Sequence, residues 1–182
     1  MFFNDDKFNL DFQSAIVFAR DAHGDQMYGR VPYITHLVQV AMILIRYGYH
    51  PDAGTTDEKL LAKSLLLAAI LHDVLEDTDV TRADIRKVFG TEVEGLVFAV
   101  TNEDGKNRKE RHLKTYPKII RTKYAIILKL ADRIANVENC KAQNAGLLKM
   151  YQKEWAEFVV AFKEQIGSSN AMWNHLDILL NY

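Results

Sequence analysis

The sequence offers little to fix a fold from outside. It holds one cysteine, Cys140, in 182 residues. A lone thiol cannot close an internal disulfide, and without a second one there is neither a CxxC pair nor a zinc-finger spacing, so a reducing cytoplasm is the expected compartment. The longest apolar run, Leu65 to Leu71, is far short of the roughly 20 residues that cross a bilayer. Met1 to Asp6 turn acidic where a secretion signal needs a basic start, so a soluble protein with no membrane partner is expected. A net charge of −1 supplies no bulk basic field, which argues against nucleic acid as a partner.

Proline and glycine are also scarce, at three and nine residues, while apolar residues recur mostly at helical spacing. The expected fold is therefore all-α, a single-domain helical bundle over residues 1–182 around a central buried helix. At 48% hydrophobic residues the chain can bury a sizeable core. Helices are expected over Asp11–Ala22, Thr35–Tyr47, Lys123–Ala145, Leu147–Gln165 and Ala171–Leu180. Thr55-Thr56-Asp57-Glu58 reads as a capping box that starts the central helix, which should run to about Thr78. Thr81 caps a short helix that stops at Phe89-Gly90, and Thr91-Glu92-Val93-Glu94 reads as another box. Gly167 to Asn170 should break the chain before the last helix.

The central helix carries the strongest chemical signal. Its apolar run ends in His72-Asp73-Val74-Leu75-Glu76-Asp77, placing three carboxylates toward a helix C-terminus, where the backbone dipole disfavours negative charge. A cation is expected there. His72, Asp73 and Glu76 share one angular sector, as divalent-metal ligands would, although a solvated helix end with a chance His-Asp pair is the bland alternative.

Other polar residues stand in similarly awkward places. His36 falls in the first turn of the second helix, where an isolated histidine is ordinarily a surface or capping group. Asp132 has Leu128, Ala131 and Ala135 around it and needs a partner, either a salt bridge to Arg133 or another basic group, or a metal. The run Arg108 to Lys114 reads as a solvated charged face or as a clamp for phosphates. Tyr151, Trp155, Phe158 and Phe162 follow helical spacing and read first as core, and His175 as structural.

In order along the chain stand Ala22-His23-Gly24-Asp25-Gln26, Pro32-Tyr33-Ile34-Thr35-His36, Leu71-His72-Asp73-Val74-Leu75-Glu76-Asp77-Thr78, Phe89-Gly90, Val100-Thr101 and Lys129-Leu130-Ala131-Asp132-Arg133. This pattern resembles the HD superfamily of metal-dependent phosphohydrolases. It is especially similar to the hydrolase domain of Rel/Spo-type alarmone enzymes and to the single-domain small alarmone hydrolases. The resemblance implies that His36, His72, Asp73 and Asp132 hold one divalent ion, usually manganese, beside an acidic pair, Glu76 and Asp77. The implied reaction removes the 3′-pyrophosphate of guanosine tetra- or pentaphosphate, (p)ppGpp. It further implies substrate contacts from Asn136, Tyr151, Arg108 and Arg111, with Lys106 as a neighbour. With no synthetase segment in the chain, the family's opposing synthetic activity should be absent.

The sequence departs from that family at three points. Met27 stands where an arginine often stacks on guanine, leaving Tyr28 or Arg30 as substitutes. Leu37 replaces the usual proline after the metal histidine, and Ala135 replaces a bulkier residue. The metal core matches better than the base pocket. Rival readings keep the metal with another substrate, a deoxynucleoside monophosphate or NADPH, or make the chain a non-catalytic nucleotide sensor.

Overall fold

The computed structural model describes residues 3–166 and 170–181. It is built from α1 (Asp6–His23), β1 (Met27–Tyr28), β2 (Val31–Pro32), α2 (Ile34–Arg46), α3 (Thr56–Leu71), α4 (Val74–Asp77), α5 (Arg82–Val100), α6 (Arg108–Arg121), α7 (Ala125–Gln143), α8 (Ala145–Ile166) and α9 (Ala171–Asn181). The all-α expectation is correct, apart from a two-stranded antiparallel hairpin in which Met27 faces Pro32 and Tyr28 faces Val31. Among the described residues, no helix is long and apolar enough to cross a membrane.

The bundle is organised around α3. Every residue from Leu65 to Leu71 is buried, because α1, α2, α5 and α7 all pack against this helix and leave it no solvent face. Burying each large aliphatic side chain contributes about 2 kcal/mol, so a segment apolar all round is stable only at the centre. Its start is fixed locally: Thr55 and Glu58 form the expected reciprocal capping box, which satisfies backbone donors that the first turn cannot.

Several boundaries differ from expectation. First, α1 begins at Asp6 rather than Asp11, because the Asp5 side chain caps Phe8 N and pairs with Lys63. The central helix also does not reach Thr78; α3 ends at Leu71, and α4 resumes at Val74 after a joint at His72 and Asp73, whose φ of −99° and ψ of −7° lie off the helical minimum.

Farther along, the helix from Arg82 kinks at Gly90, where a φ of 87° requires glycine. The box expected at Thr91 does not use Glu94 as foreseen. That side chain is 2% exposed and accepts from Arg82 and Arg86 of the same helix. Gly167, Ser168 and Ser169 of the expected break lie outside the described residues, and Asn170 caps α9 by accepting from Met172 N and Trp173 N.

Candidate active site

Three helical segments bring the candidate site together. His36 comes from the first turn of α2, His72 and Asp73 from the joint after α3, and Asp132 from the middle of α7. His36, His72 and Asp73 each offer a ligand atom within 4.8 Å of the others. Asp132 Oδ1 lies 3.4 Å from His36 Nε2 and 3.6 Å from His72 Nε2.

The imidazole orientations favour a cation. His72 Nδ1 lies 2.9 Å from the Ala69 carbonyl, so it carries a proton and donates. In a neutral ring this turns the Nε2 lone pair toward Asp73 Oδ2, 3.0 Å away. Lone pair against carboxylate is repulsive unless a proton or a metal stands between them. Consistently, His72 Nε2 is buried with no hydrogen-bond partner, and His36 turns its Nε2 to the same two carboxylates. Two imidazoles and two carboxylates are a donor set that fits a divalent transition ion.

Electrostatics within the cluster show the same demand for positive charge, met by a proton on His72 when no ion is bound. Burial acts to raise the Asp73 carboxyl, but His72 and then His36 offset it and hold it down to about 2. Burial likewise opposes the His72 cation, and Asp73 and Asp132 outweigh that penalty to raise its pKa. Asp132 is held well below the ordinary range, against its burial, chiefly by Lys129.

The surrounding polar groups hold these side chains in place. Tyr33 donates to Asp73 Oδ2 at 2.6 Å, and Lys129 donates to Asp132 Oδ2 at 2.9 Å. Asn136 donates to Asp132 Oδ1 and accepts from Tyr28 at 3.0 Å, while the Tyr28 ring stacks on His36 with centroids 4.6 Å apart. Glu76 accepts from both the backbone and the side-chain nitrogen of Asn102, and Asp77 accepts from Gln26, itself paired with the buried His23.

A polar cavity of about 200 Å³ opens onto this cluster. Of the residues singled out from sequence, His36, Asp73, Glu76, Asp77, Arg108, Asp132, Asn136 and Tyr151 line it, and His72 lies buried behind them. Three others do not line it. Arg30 borders a separate depression with Tyr28, Val31, Asn139 and Gln143, Lys106 is exposed on the loop before α6, and Arg111 is half-buried on α6.

Sequence reasoning missed Tyr33, Asn102, His112, Lys129 and Arg133 as lining residues. A signal existed for Lys129, three positions before Asp132 in the same motif; Asn102 had none beyond its place in a loop. Of the salt-bridge partners open to Asp132, it is another basic group and not Arg133 that pairs with it. Arg133 turns to Glu154 of α8, and Asp132 takes Lys129.

An all-helical domain presenting a two-histidine, two-aspartate cluster beside a polar cavity is the architecture of a divalent-metal domain. The HD domain family model matches residues 15–158, and the chain belongs to that family. It is 32% identical over 162 residues to guanosine-3′,5′-bis(diphosphate) 3′-pyrophosphohydrolase of Aquifex aeolicus, covering 86% of this chain and 22% of that protein. It is 36% identical over 109 residues to the enzyme of the same description, MESH1, from Drosophila melanogaster, covering 59% of this chain and 55% of that one. The chain thus spans about a fifth of the length of the bacterial relatives. A solved structure described as a metazoan ortholog of SpoT that hydrolyzes ppGpp superimposes with a TM-score of 0.69 at 24% identity, covering 99% of this chain and 94% of that one. That likeness extends the fold match beyond the segment shared in sequence.

Proposed function

We propose that the chain is a metal-dependent phosphohydrolase that removes the 3′-pyrophosphate from (p)ppGpp, giving GDP or GTP and pyrophosphate. The observation that carries this reading is the pairing of the His36, His72, Asp73 and Asp132 cluster with Glu76, Asp77 and the cationic Arg108 and Lys129 around one cavity. Such a cavity attracts a cation at one place and an anion at another. The relatives' described activity supplies the substrate class.

In this reading His36, His72, Asp73 and Asp132 hold one divalent ion, with manganese the proposed metal. When bound, the ion acidifies a nearby water and offsets charge on the phosphoryl oxygens. Glu76 accepts the proton of the attacking water, held in its orientation by Asn102, and Asp77, braced by Gln26, orients that water. Arg108 and Lys129 face the charge of the phosphate chain, and Asn136 and Tyr151 take the ribose side. Arg30, Lys106 and Arg111 lie outside the cavity lining; in this reading they meet the parts of the nucleotide that extend from it. The cytoplasm is the proposed compartment.

The test is product identification with metal-loaded protein and ppGpp, pppGpp, deoxynucleoside monophosphates and NADPH in parallel. Release of pyrophosphate from ppGpp supports the reading. Phosphate released only from monophosphates or NADPH would instead establish one of those substrates, and Met27, 53% exposed on the hairpin, is the departure that makes the comparison necessary.

A further inference from the structure

Glu154 of α8 stands between two arginines that arrive from different helices. Its Oε1 accepts from Arg108 Nε of α6, and its Oε2 accepts from Arg133 Nη2 of α7 at 3.0 Å. The two arginines are not equivalent. Both border the cavity, but the Arg133 side chain is 3% exposed, whereas that of Arg108 keeps 37%. Both guanidinium carbons lie over Tyr151, at 5.4 Å for Arg108 and 5.1 Å for Arg133.

The chemistry of the guanidinium separates their roles. Arginine carries five N–H donors in a planar fork, and a carboxylate bonded at Nε leaves the two terminal nitrogens for a bidentate partner such as phosphate. Arg133 is enclosed, and its contact with Glu154 ties α7 to α8. Arg108 is tethered at its inner nitrogen and open beyond it. Two arginines against one glutamate also leave a surplus positive charge at this end of the cavity, opposite in sign to the carboxylates around His36.

We propose that Glu154 is a positioning residue that fixes Arg108 at the cavity so that its terminal nitrogens receive a phosphate of the substrate. The proposal rests on the phosphohydrolase reading above. Without the carboxylate, the long side chain regains its rotamers and must lose them again each time a phosphate binds. Affinity should fall while the groups at the reacting centre stay in place.

The experiment is a double-mutant cycle with Arg108→Gln, Glu154→Gln and the pair, read by the dissociation constant of inorganic pyrophosphate with equal Mg2+ throughout. Each single variant should weaken binding about tenfold, equivalent to about 1.4 kcal/mol, and the pair should be no weaker than Arg108→Gln alone. Turnover should show a raised KM with kcat nearly unchanged, which a general loosening of the fold would not give. Should Glu154→Gln fail to fold, Glu154→Asp keeps the charge and withdraws it by one methylene, and the same loss is expected. Penalties that add in the pair, wild-type affinity in Glu154→Gln, or no pyrophosphate binding by the wild type would each overturn the proposal. Failure of the alarmone reading would look different, as retained pyrophosphate binding with no pyrophosphate released from ppGpp.

Discussion

Lys129 donates to Asp132 across less than one turn of α7, its Nζ 2.9 Å from Oδ2, with both side chains at most 15% exposed. Burial works against this ammonium, and Asp132, Asp73 and Glu76 more than compensate to keep it charged. Lys129 is thus a fixed cation among the cavity carboxylates. Replacing it by methionine leaves Asp132 buried beside Asp73 without that cation, a change of the kind that costs about 3–5 kcal/mol. The chelator-treated Lys129→Met protein should melt about 6 °C or more below wild type. Added divalent metal should recover more of that loss than it adds to wild type, because the ion replaces the missing charge. Thermal melts with and without metal check this, and equal metal-induced shifts in the two proteins would refute it.

Asp73 is held from two sides, by Tyr33 and by the joint between α3 and α4. Asp73→Ala should remove bound metal and turnover together while leaving the helical circular dichroism largely intact, since no core side chain changes. Metal content after gel filtration decides it; a normal metal-to-protein ratio would exclude Asp73 as a ligand.

Glu76 is exposed and held by two donors of Asn102. Glu76→Gln keeps the shape and loses the base, so it should retain metal and slow turnover about 10²–10⁴-fold. Asn102→Ala should act in the same direction but more weakly, because it frees the base without removing it. Parallel measurement of metal content and kcat separates this from loss of the ion.

The four-residue cluster was legible in sequence through the ordered motifs that resemble the HD superfamily. The physical signal beside them was weaker: each of His36, His72, Asp73 and Asp132 is a polar group where burial without a partner is costly. The choice between Arg133 and another basic group stayed open in sequence, because both Lys129 and Arg133 sit within reach of Asp132 along the helix. The choice between them depends on Glu154, which lies 21 residues beyond Arg133 and pairs with it. The hairpin at Met27–Pro32 escaped notice because two-residue strands carry no periodicity, yet it sets Tyr28 on His36. The break at His72-Asp73 was equally hidden, since helical residues flank it on both sides.

His112 provides a pH test away from the metal-type cluster. It is 7% exposed, stacks on Tyr116, and lines the cavity wall. Burial depresses its pKa to about 4, with Arg108, Arg133 and Lys129 adding to the depression and Glu154 opposing it. The neutral ring is therefore the folded form, whereas an unfolded chain protonates near the ordinary histidine value of about 6.5. Between those two values the unfolded state binds more protons, so this contribution is complete above about 6.5 and is lost as pH falls toward 4. His112→Gln should lower stability at pH 7.5 through lost packing but flatten the decline between pH 6.5 and 4.5 relative to wild type. Urea midpoints at the two ends of that window measure the difference. An unchanged pH slope in the variant would show that His112 does not carry the proton linkage.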